Sequence, residues 1–301
     1  MTAPPFVSIV MPSYMQARFI GRSIDNVLGQ SHANLELIVQ DGGSDDGTIE
    51  ILREKASRDP RLKWESAPDE GPADAINKAL VRSRGTIIGW LNSDDLYTPG
   101  AVSRAVDALD DPLLLMVYGH GEHVDEEDEK LSAYPTRRPD AGIDAFHTGC
   151  FICQPTAFFK RTMYSLLGPL EQSLKTSFDF EYWLRAFSNF PDRIGFVDKV
   201  QARSRLHDAC ITRNERGTVA AEGVELTDRY LGDAKMHWVS THLEEIVTMH
   251  QQDNSMDDVF SMIDRFLSKV SHAYDARVIE EMRSQARLML DAGTDTGRKG
   301  A

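Results

Sequence analysis

Runs of β-forming residues alternate with helical stripes through about the first 125 residues of the chain. Runs of β-forming residues at 6–11, 35–39, 62–65 and 86–91 are typical of strands, and apolar residues recur at helical spacing between them. Repeated β-α-β units of this kind imply a doubly wound, mostly parallel sheet. We therefore predict an α/β fold.

Polar, turn-forming segments follow two of these strands. Asp41 ends the second strand and opens a glycine-rich loop, and the sequence Asn-Ser-Asp-Asp at 92–95 closes the fourth. Ligands of such sheets bind beyond the carboxyl ends of the strands, so we expect both segments at one mouth. Carboxylates at that place need hydrogen bonds or a cation, and oxygen ligands suit Mg²⁺ or Mn²⁺ when a phosphate completes the set.

Each feature also has a simpler structural explanation. An Asx turn that organises its own loop would account for Asp41, and capping of the next helix would account for Asp95. Asp74 falls in the first turn of a helix predicted over 72–83, where an ordinary ion pair with Lys78 one turn later would explain it.

The charge of the chain limits the classes of partner. Its 301 residues include 33 basic and 47 acidic side chains, for a net charge of −14, which argues against coating of nucleic acid. No uncharged apolar stretch reaches the roughly 18–20 residues of a membrane span. The first five residues lack the basic and apolar regions of a signal peptide. We expect a cytoplasmic protein, with peripheral contact at the inner face of the membrane as the alternative.

Cys150 and Cys153 form a Cys-x-x-Cys pair, which is found in half zinc sites and in redox pairs. A zinc site needs two further ligands, for which only Cys210 and scattered histidines are available. The pattern favours small apolar residues on a buried segment.

Four motifs occur in order along the chain. They are Val7–Tyr14 ending in Pro-Ser-Tyr, the loop Asp41–Thr48, the segment Asp69–Lys78 with its Asp-Ala-Ile-Asn-Lys helix start, and Leu91–Asp95. Together they resemble the family 2 glycosyltransferases over roughly residues 5–213. The resemblance implies a GT-A fold, in which a nucleotide-binding α/β part merges into an acceptor-binding part.

The implied organisation has a catalytic domain at 1–213, with the nucleotide-binding part at 1–125 and the acceptor-binding part at 126–213. A helical extension at 214–291 and a flexible tail at 292–301 follow.

The resemblance also assigns site residues. Asp94 matches the metal-ligating aspartate, and His207 matches a late histidine that completes the site for Mn²⁺ or Mg²⁺. Asp179 falls on the position of the catalytic base, with Glu181 as the runner-up. The implied nucleotide-sugar contacts are Pro12, Ser13, Tyr14, Asp41, Gly71, Asp74, Asn92, Ser93 and Asp94.

Two positions depart from the family pattern. Asn92 replaces the first aspartate of the metal motif, and Gly42 stands where many members have a second aspartate beside the base. The implied activity is inverting transfer of a hexosyl or N-acetylhexosaminyl group from a nucleoside diphosphate sugar, UDP-linked by expectation. The acceptor would be a hydroxyl of a glycan or of a lipid-linked saccharide, as in polysaccharide biosynthesis.

Two alternatives stay open. Asn92 would fit a nucleotide-sugar-binding scaffold that has lost catalysis. A sugar nucleotidyltransferase shares the doubly wound sheet, but residues 11–18 lack the glycine-rich, basic activation loop of such enzymes.

The remaining segments carry weaker signals. The acidic run 125–129 is typical of a solvated turn. From about residue 215 the pattern is helical, with an apolar stripe at Val259, Met262, Ile263 and Phe266. Docking onto the catalytic domain or homo-oligomer formation would use such a stripe, whereas a membrane-surface helix would need a basic face.

Overall fold

Nine strands form one mixed sheet in the computed structural model, which describes residues 4–250 and 256–297. Strands β1 to β9 are Val7–Ser13, Leu35–Asp41, Leu62–Ser66, Ile87–Trp90, Leu96–Tyr97, Met116–Val124, Lys130–Ala133, Phe158–Lys160 and Ile194–Arg205. Helices α1 to α11 are Ile20–Leu28, Thr48–Arg58, Pro72–Arg82, Ala101–Leu109, Arg161–Leu167, Phe178–Asn189, Ile211–Asn214, Arg216–Leu231, His237–His250, Met256–Val270 and Ala276–Gly297.

The strand order is β3-β2-β1-β4-β8-β6-β9-β5, with β7 paired to β6. The first four strands of this order are parallel, as the β-α-β pattern predicts. Beyond β4 the sheet is mixed, since β8 runs antiparallel to both β4 and β6 and β9 runs parallel to β6. The predicted α/β class is confirmed, and the uninterrupted run of four parallel strands lies in the N-terminal part.

Burial follows from the composition of the strands. Every residue of β1 and β2 is buried, as expected for parallel strands covered on both faces. Ile9 of β1 packs in one cluster with Ile24 of α1 and Val102 of α4. This rigid centre fixes the carboxyl ends of β1, β2 and β4.

The described chain divides into two compact units. The first runs to Ile143 and resumes at Cys150–Cys210, and the second takes Asp144–Gly149 and the chain from Ile211 on. The predicted boundary lies at 213, three residues after the end of the first unit.

The second unit is helical and has a core of its own. Of the predicted stripe, Val259, Ile263 and Phe266 are buried in that core, and Met262 packs against it. The stripe is therefore used inside the unit, and homo-oligomer formation stays a prediction. Helix α11 continues to Gly297, into the predicted tail, whose flexibility stays a prediction. Residues 298–301 lie outside the described part, as do residues 1–3.

None of the helices in the described ranges combines the length and the apolarity that a membrane span requires.

Candidate active site

The ends of four parallel strands bring the predicted motifs to one edge of the sheet. The register pairs Ser13 of β1 with Asp41 of β2, and Asp41 with Ser66 of β3. On the other side of β1, β4 ends at Trp90 and leads into residues 92–95. The two acidic segments therefore follow the strands on either side of β1.

Asp41 is fully buried, and its carboxylate closes its own loop. Oδ2 accepts the backbone N–H groups of Gly43 and Ser44 at 3.0 and 2.9 Å and the Ser66 hydroxyl at 2.6 Å. Oδ1 accepts the Ser44 hydroxyl at 2.6 Å. These bonds match the loop-organising alternative, because Asp41 has no exposed surface and donors of the protein already bond both of its carboxylate oxygens.

The 41–48 loop also holds the segment that follows β1. The backbone N–H groups of residues 15–17 donate to the side chains of Ser44, Thr48 and Asp46 at 2.7, 3.0 and 2.9 Å. Met15 has a positive φ of 54°, a conformation that costs a non-glycine residue free energy. The three bonds stabilise this turn beyond the end of β1.

Of the predicted contacts at the end of β1, only one presents its side chain outward. Pro12 and Ser13 are buried, and the Ser13 carbonyl accepts the N–H of Gly42 at 2.9 Å. Tyr14 is 63% exposed. A Cβ added at Gly42 would lie 3.2 Å from Cδ2 of the Tyr14 ring, which places this aromatic face beside the glycine.

Asp69 presents a carboxylate oxygen at this place. Its Oδ1 accepts the N–H of Gly71 at 3.0 Å, while Oδ2 lies 2.9 Å from where a Gly42 Cβ would be. No donor in the described part of the chain bonds Oδ2. Burial raises the pKa of Asp69 above its usual value, and the carboxylates of Asp74 and Asp41 add to that effect. Asp69 was absent from the predicted contacts, although it lies in the third motif.

The third motif otherwise serves as a scaffold. Asp74 accepts the backbone N–H of Glu70 at 3.1 Å and the side chains of Lys78 and Gln172 at 2.7 and 3.1 Å. Asn77 is buried. Its amide donates to the Leu170 carbonyl and accepts the Leu170 N–H, both at 2.9 Å. The helix start thus holds the segment at 170–172 that precedes α6.

Within the same motif, Gly71 precedes α3 with a φ of 121°. A Cβ added at Gly71 would have no atom of the described residues within 4 Å. The surroundings of Gly71 therefore leave open space at the edge of the sheet. The predicted donor contact at Gly71 stays a prediction.

The side chain of Asn92 is held beside its own strand. Its Oδ1 accepts the indole N–H of Trp90 at 3.1 Å, and its Nδ2 lies 3.5 Å from Oδ2 of Asp95. Asp95 is buried and accepts the backbone N–H of Arg205 at 2.9 Å. Burial raises the pKa of Asp95 well above its usual value, and the neighbouring charge of Asp94 raises it further. Ser93, which follows Asn92 in the chain, is also buried.

Asp94 points toward the end of β9. Its Oδ2 lies 3.0 Å from Nε2 of His207, and the N–H of Ala209 lies 3.3 Å from the other ring nitrogen, Nδ1. Cys210 completes a group whose ligand atoms all lie within 4.8 Å of one another. Among the described residues, Asp94, His207 and Cys210 form a group of side chains that could hold a cation. The pairing of Asp94 with His207 follows the prediction, and Cys210 is an addition to it.

Arg205 supports this group from beneath. It is 2% exposed, and its Nε donates to the Asp94 carbonyl at 2.8 Å. The guanidinium carbon lies 4.8 Å from the centre of the Phe19 ring, which itself lies 4.8 Å from the centre of the His207 ring. Phe19 therefore contacts both the guanidinium of Arg205 and the imidazole of His207. The predicted motif pointed only to the histidine, so the role of Arg205 was not predicted.

The acidic run at 125–129 covers Arg205. Nη1 of Arg205 donates to the carbonyls of Asp125 and Glu126 at 3.1 and 3.0 Å and pairs with the Asp128 carboxylate, which also pairs with Arg22. The run forms the predicted turn and exposes Glu127 and Glu129. Its other three residues are half-buried, because arginines hold the run against the sheet.

Helix α6 carries the predicted base. Asp179 lies in the first turn and is half-buried. Glu181 is 1% exposed and forms an ion pair with Arg185 at 2.7 Å, so its carboxylate is part of the helix packing. The rings of Phe178 and Trp90 stack at 5.6 Å, which ties the start of α6 to the end of β4.

The Cys-x-x-Cys pair lies outside the metal group. Neither cysteine forms a disulfide, and Cys153 is buried against Gly121, where a Cβ would lie 2.4 Å from Sγ. Gln154 donates to the Trp90 carbonyl at 2.8 Å. The segment is structural, as the simpler interpretation predicted for Cys153.

The family model described as glycosyl transferase family 2 matches residues 8–167, more than half of the chain. The chain belongs to glycosyltransferase family 2. The resemblance inferred from the four motifs is confirmed, and with it the prediction of a glycosyltransferase.

Curated relatives match over much of the sequence. An uncharacterised glycosyltransferase of Rickettsia typhi is 28% identical over 223 residues, which are 70% of this chain and 67% of that protein. A chondroitin synthase of Escherichia coli is 30% identical over 185 residues, 60% of this chain. The matched part is only 26% of the chondroitin synthase.

Solved structures of glycosyltransferases share the fold. TarS of S. aureus, residues 1–349, superposes with a TM-score of 0.68 at 16% identity, covering 98% of this chain and 92% of that one. Its complex with UDP-GlcNAc gives a TM-score of 0.65 at 15% identity, covering 95% and 88%. The mannosyltransferase PcManGT of Pyrobaculum calidifontis, in complex with GDP-Man and Mn²⁺, gives 0.60 at 19% identity, covering 97% and 87%.

Proposed function

We propose that this chain catalyses inverting transfer of a sugar, from a UDP-linked donor to a hydroxyl of a glycan or lipid-linked saccharide. The observation that carries the proposal is the grouping at the end of β4. There Asp94 faces His207 at 3.0 Å, and the stacked rings of Trp90 and Phe178 hold the helix that bears Asp179. A cation-binding pair and a candidate base are thereby fixed to the same strand end.

The donor base would lie against Tyr14 and Asp69. Tyr14 offers an exposed aromatic face, and Oδ2 of Asp69 offers an acceptor beside Gly42, as a uracil N–H requires. In this proposal Asp69 takes the polar contact that the resemblance gave to Asp41. The complexes of TarS with UDP and with UDP-GlcNAc support a uridine donor.

Asp94 and His207 would hold a divalent cation, with Mn²⁺ or Mg²⁺ as the predicted ions. Their facing atoms are 3.0 Å apart, and two adjacent octahedral ligands at about 2.1 Å from one ion are about 3.0 Å apart. A bound cation supplies charge neutralisation at the departing diphosphate. Without the cation, a carboxylate and a phosphate oxygen about 4 Å apart repel each other by about 4 kcal/mol at an effective dielectric near 20.

Asp179 would accept the proton of the acceptor hydroxyl as it attacks the sugar. Its position depends on the segment before α6, which Asn77 and Asp74 hold through Leu170 and Gln172. The Asp-Ala-Ile-Asn-Lys motif therefore links the nucleotide-binding part of the chain to the proposed catalytic base, Asp179. Glu181 is unsuited to this role, because its ion pair with Arg185 is buried.

The test is a panel of UDP-, GDP- and TDP-sugars with Mn²⁺ or Mg²⁺, read as donor turnover with and without saccharide acceptors. The Asp179→Asn variant should lower transfer by about 10²–10⁴-fold, the usual contribution of a general base, while UDP affinity is unchanged. Asp192→Asn, an exposed aspartate beyond the end of α6, is the matched control and should transfer at the wild-type rate.

Near-wild-type transfer by Asp179→Asn would show that the base lies elsewhere. Metal-dependent UDP binding by the wild type with no turnover of any donor would instead favour the nucleotide-sugar-binding scaffold.

A further inference from the structure

The turn that follows β9 brings a third kind of ligand atom to the Asp94–His207 pair. The N–H of Cys210 donates to the His207 carbonyl at 3.1 Å, and the N–H of His207 donates to Sγ of Cys210 at 3.3 Å. These reciprocal bonds close a tight turn. They hold the sulfur on the same side as the imidazole.

We infer that Cys210 is the third protein ligand of the cation, so that the site binds through one oxygen, one nitrogen and one sulfur atom. The ligand atoms of Asp94, His207 and Cys210 all lie within 4.8 Å of one another, His207 is buried, and the other two side chains are half-buried. The inference rests on the proposed function only for the diphosphate oxygen that would take the remaining position.

A sulfur ligand changes which cation the site prefers. Carboxylate oxygen suits Mg²⁺ and Mn²⁺, whereas thiolate sulfur selects Zn²⁺ and similar thiophilic ions. Three protein ligands with one open position is also the arrangement of catalytic zinc sites, where water or substrate fills the fourth place. The chain should therefore prefer Zn²⁺ and Co²⁺ to Mg²⁺ more strongly than a site formed by Asp94 and His207 alone.

The competing explanation is that Cys210 only closes the turn. Its Sγ donates to the Arg205 carbonyl at 3.2 Å and accepts the His207 N–H, and a serine hydroxyl would make both bonds. Cys210→Ser is thus the decisive variant, because it keeps the turn and removes the sulfur. Cys150→Ser is the matched control, since Cys150 is also half-buried in the same unit but lies outside the group.

The experiment titrates the full chain with Co²⁺ and follows the near-ultraviolet thiolate-to-cobalt charge-transfer band. The band should appear in the wild type and in Cys150→Ser, and it should be absent in Cys210→Ser. Calorimetry with Zn²⁺ and Mn²⁺ gives the second readout. Mutation of a residue that only hydrogen-bonds a metal ligand lowers metal affinity by about 10–100-fold. Loss of a direct ligand in Cys210→Ser should therefore lower the affinity for Zn²⁺ by at least about tenfold, and the affinity for Mn²⁺ by less.

Persistence of the band in Cys210→Ser, or calorimetric Co²⁺ binding by the wild type without a band, would overturn the inference. Cadmium NMR of the wild type reports sulfur ligation without any variant, and a shift typical of oxygen and nitrogen ligands alone would overturn it as well. If Co²⁺ binds through sulfur but the chain transfers no sugar, the inferred site stands and the proposed function fails. If the chain transfers sugar but Co²⁺ shows no sulfur ligation, the proposed function stands and the inferred ligand fails.

Discussion

Asp41 and Asp94 follow buried strands on either side of β1, yet their carboxylates differ in surroundings. Asp41 has no exposed surface and accepts bonds from the backbone and hydroxyl groups of Gly43, Ser44 and Ser66. Asp94 is half-buried, and its carboxylate faces His207, 113 residues away in the chain. The first carboxylate is satisfied by its own loop and the adjacent strand, whereas the second faces a side chain from a distant part of the chain.

The difference lies in where the local donors point. Gly43 has a φ of 90°, which turns the chain back so that two N–H groups reach the Asp41 carboxylate. After β4, the N–H of Asp95 donates instead to the Asn92 carbonyl at 3.1 Å. The loop after β4 therefore gives the Asp94 carboxylate none of the backbone bonds that the 41–48 loop gives to Asp41.

Replacing Asp94 should give the largest loss of ligand binding at this edge. In Asp94→Asn the carboxylate that faces His207 loses its charge, so UDP affinity in the presence of Mn²⁺ should fall about 100-fold, or about 3 kcal/mol. The melting temperature should not change, since among the described residues the side chain bonds only the imidazole. Isothermal calorimetry with and without Mn²⁺, and thermal melting, measure the two quantities.

The control is Asp45→Asn, an exposed aspartate of the 41–48 loop, which should match the wild type in both. Retention of metal-dependent UDP binding in Asp94→Asn would mean that Asp94 is as structural as Asp41.

Replacing Asp41 should produce the opposite pattern. Asp41→Asn substitutes an amide for a carboxylate surrounded by donors, and hydrogen bonds to a charged group contribute about 1.5–3 kcal/mol. The free energy of unfolding should fall by about 2 kcal/mol in urea titrations, while the folded fraction keeps its UDP affinity. Unchanged stability with lost UDP binding would place Asp41 in the base pocket after all.

The sequence predicts what depends on local pattern. Runs of β-forming residues locate β1 to β4, and the expectation that ligands bind beyond the carboxyl ends of parallel strands brings Asp41 and Asp94 to one edge. It does not locate β5 and β8, which have two and three residues and are too short for a pattern. Nor does it tell which donors satisfy which acid, because Ser66 and Arg205 reach Asp41 and Asp95 from 25 and 110 residues away.

Asp69 offers a smaller test of the same distinction. Its Oδ2 has no donor in the described chain, so it should behave like Asp94 and matter for ligand binding. Asp69→Ala should weaken UDP by about tenfold through the loss of one charge-assisted hydrogen bond. It should also reduce the preference for UDP over CDP, because cytosine has no N–H at the position of the uracil N3–H.

Glu70→Ala is the matched control for Asp69→Ala, because Glu70 is the exposed neighbour in the chain. Competition calorimetry with both nucleotides measures the preference. An equal loss for UDP and CDP would assign Asp69 a general electrostatic role in place of base recognition.

Gly42→Ala should have the smallest effect and sharpens the comparison at one atom. The added Cβ would lie 2.9 Å from Oδ2 of Asp69 and 3.2 Å from the Tyr14 ring, so both side chains must shift. A displaced rotamer costs about 0.5–1.5 kcal/mol, which predicts about a two- to tenfold loss of UDP affinity. Stability should be unaffected, because the N–H of Gly42 still donates to the Ser13 carbonyl. If UDP affinity falls in Asp69→Ala but not in Gly42→Ala, the uracil ring lies on the side of Asp69 that faces away from Gly42.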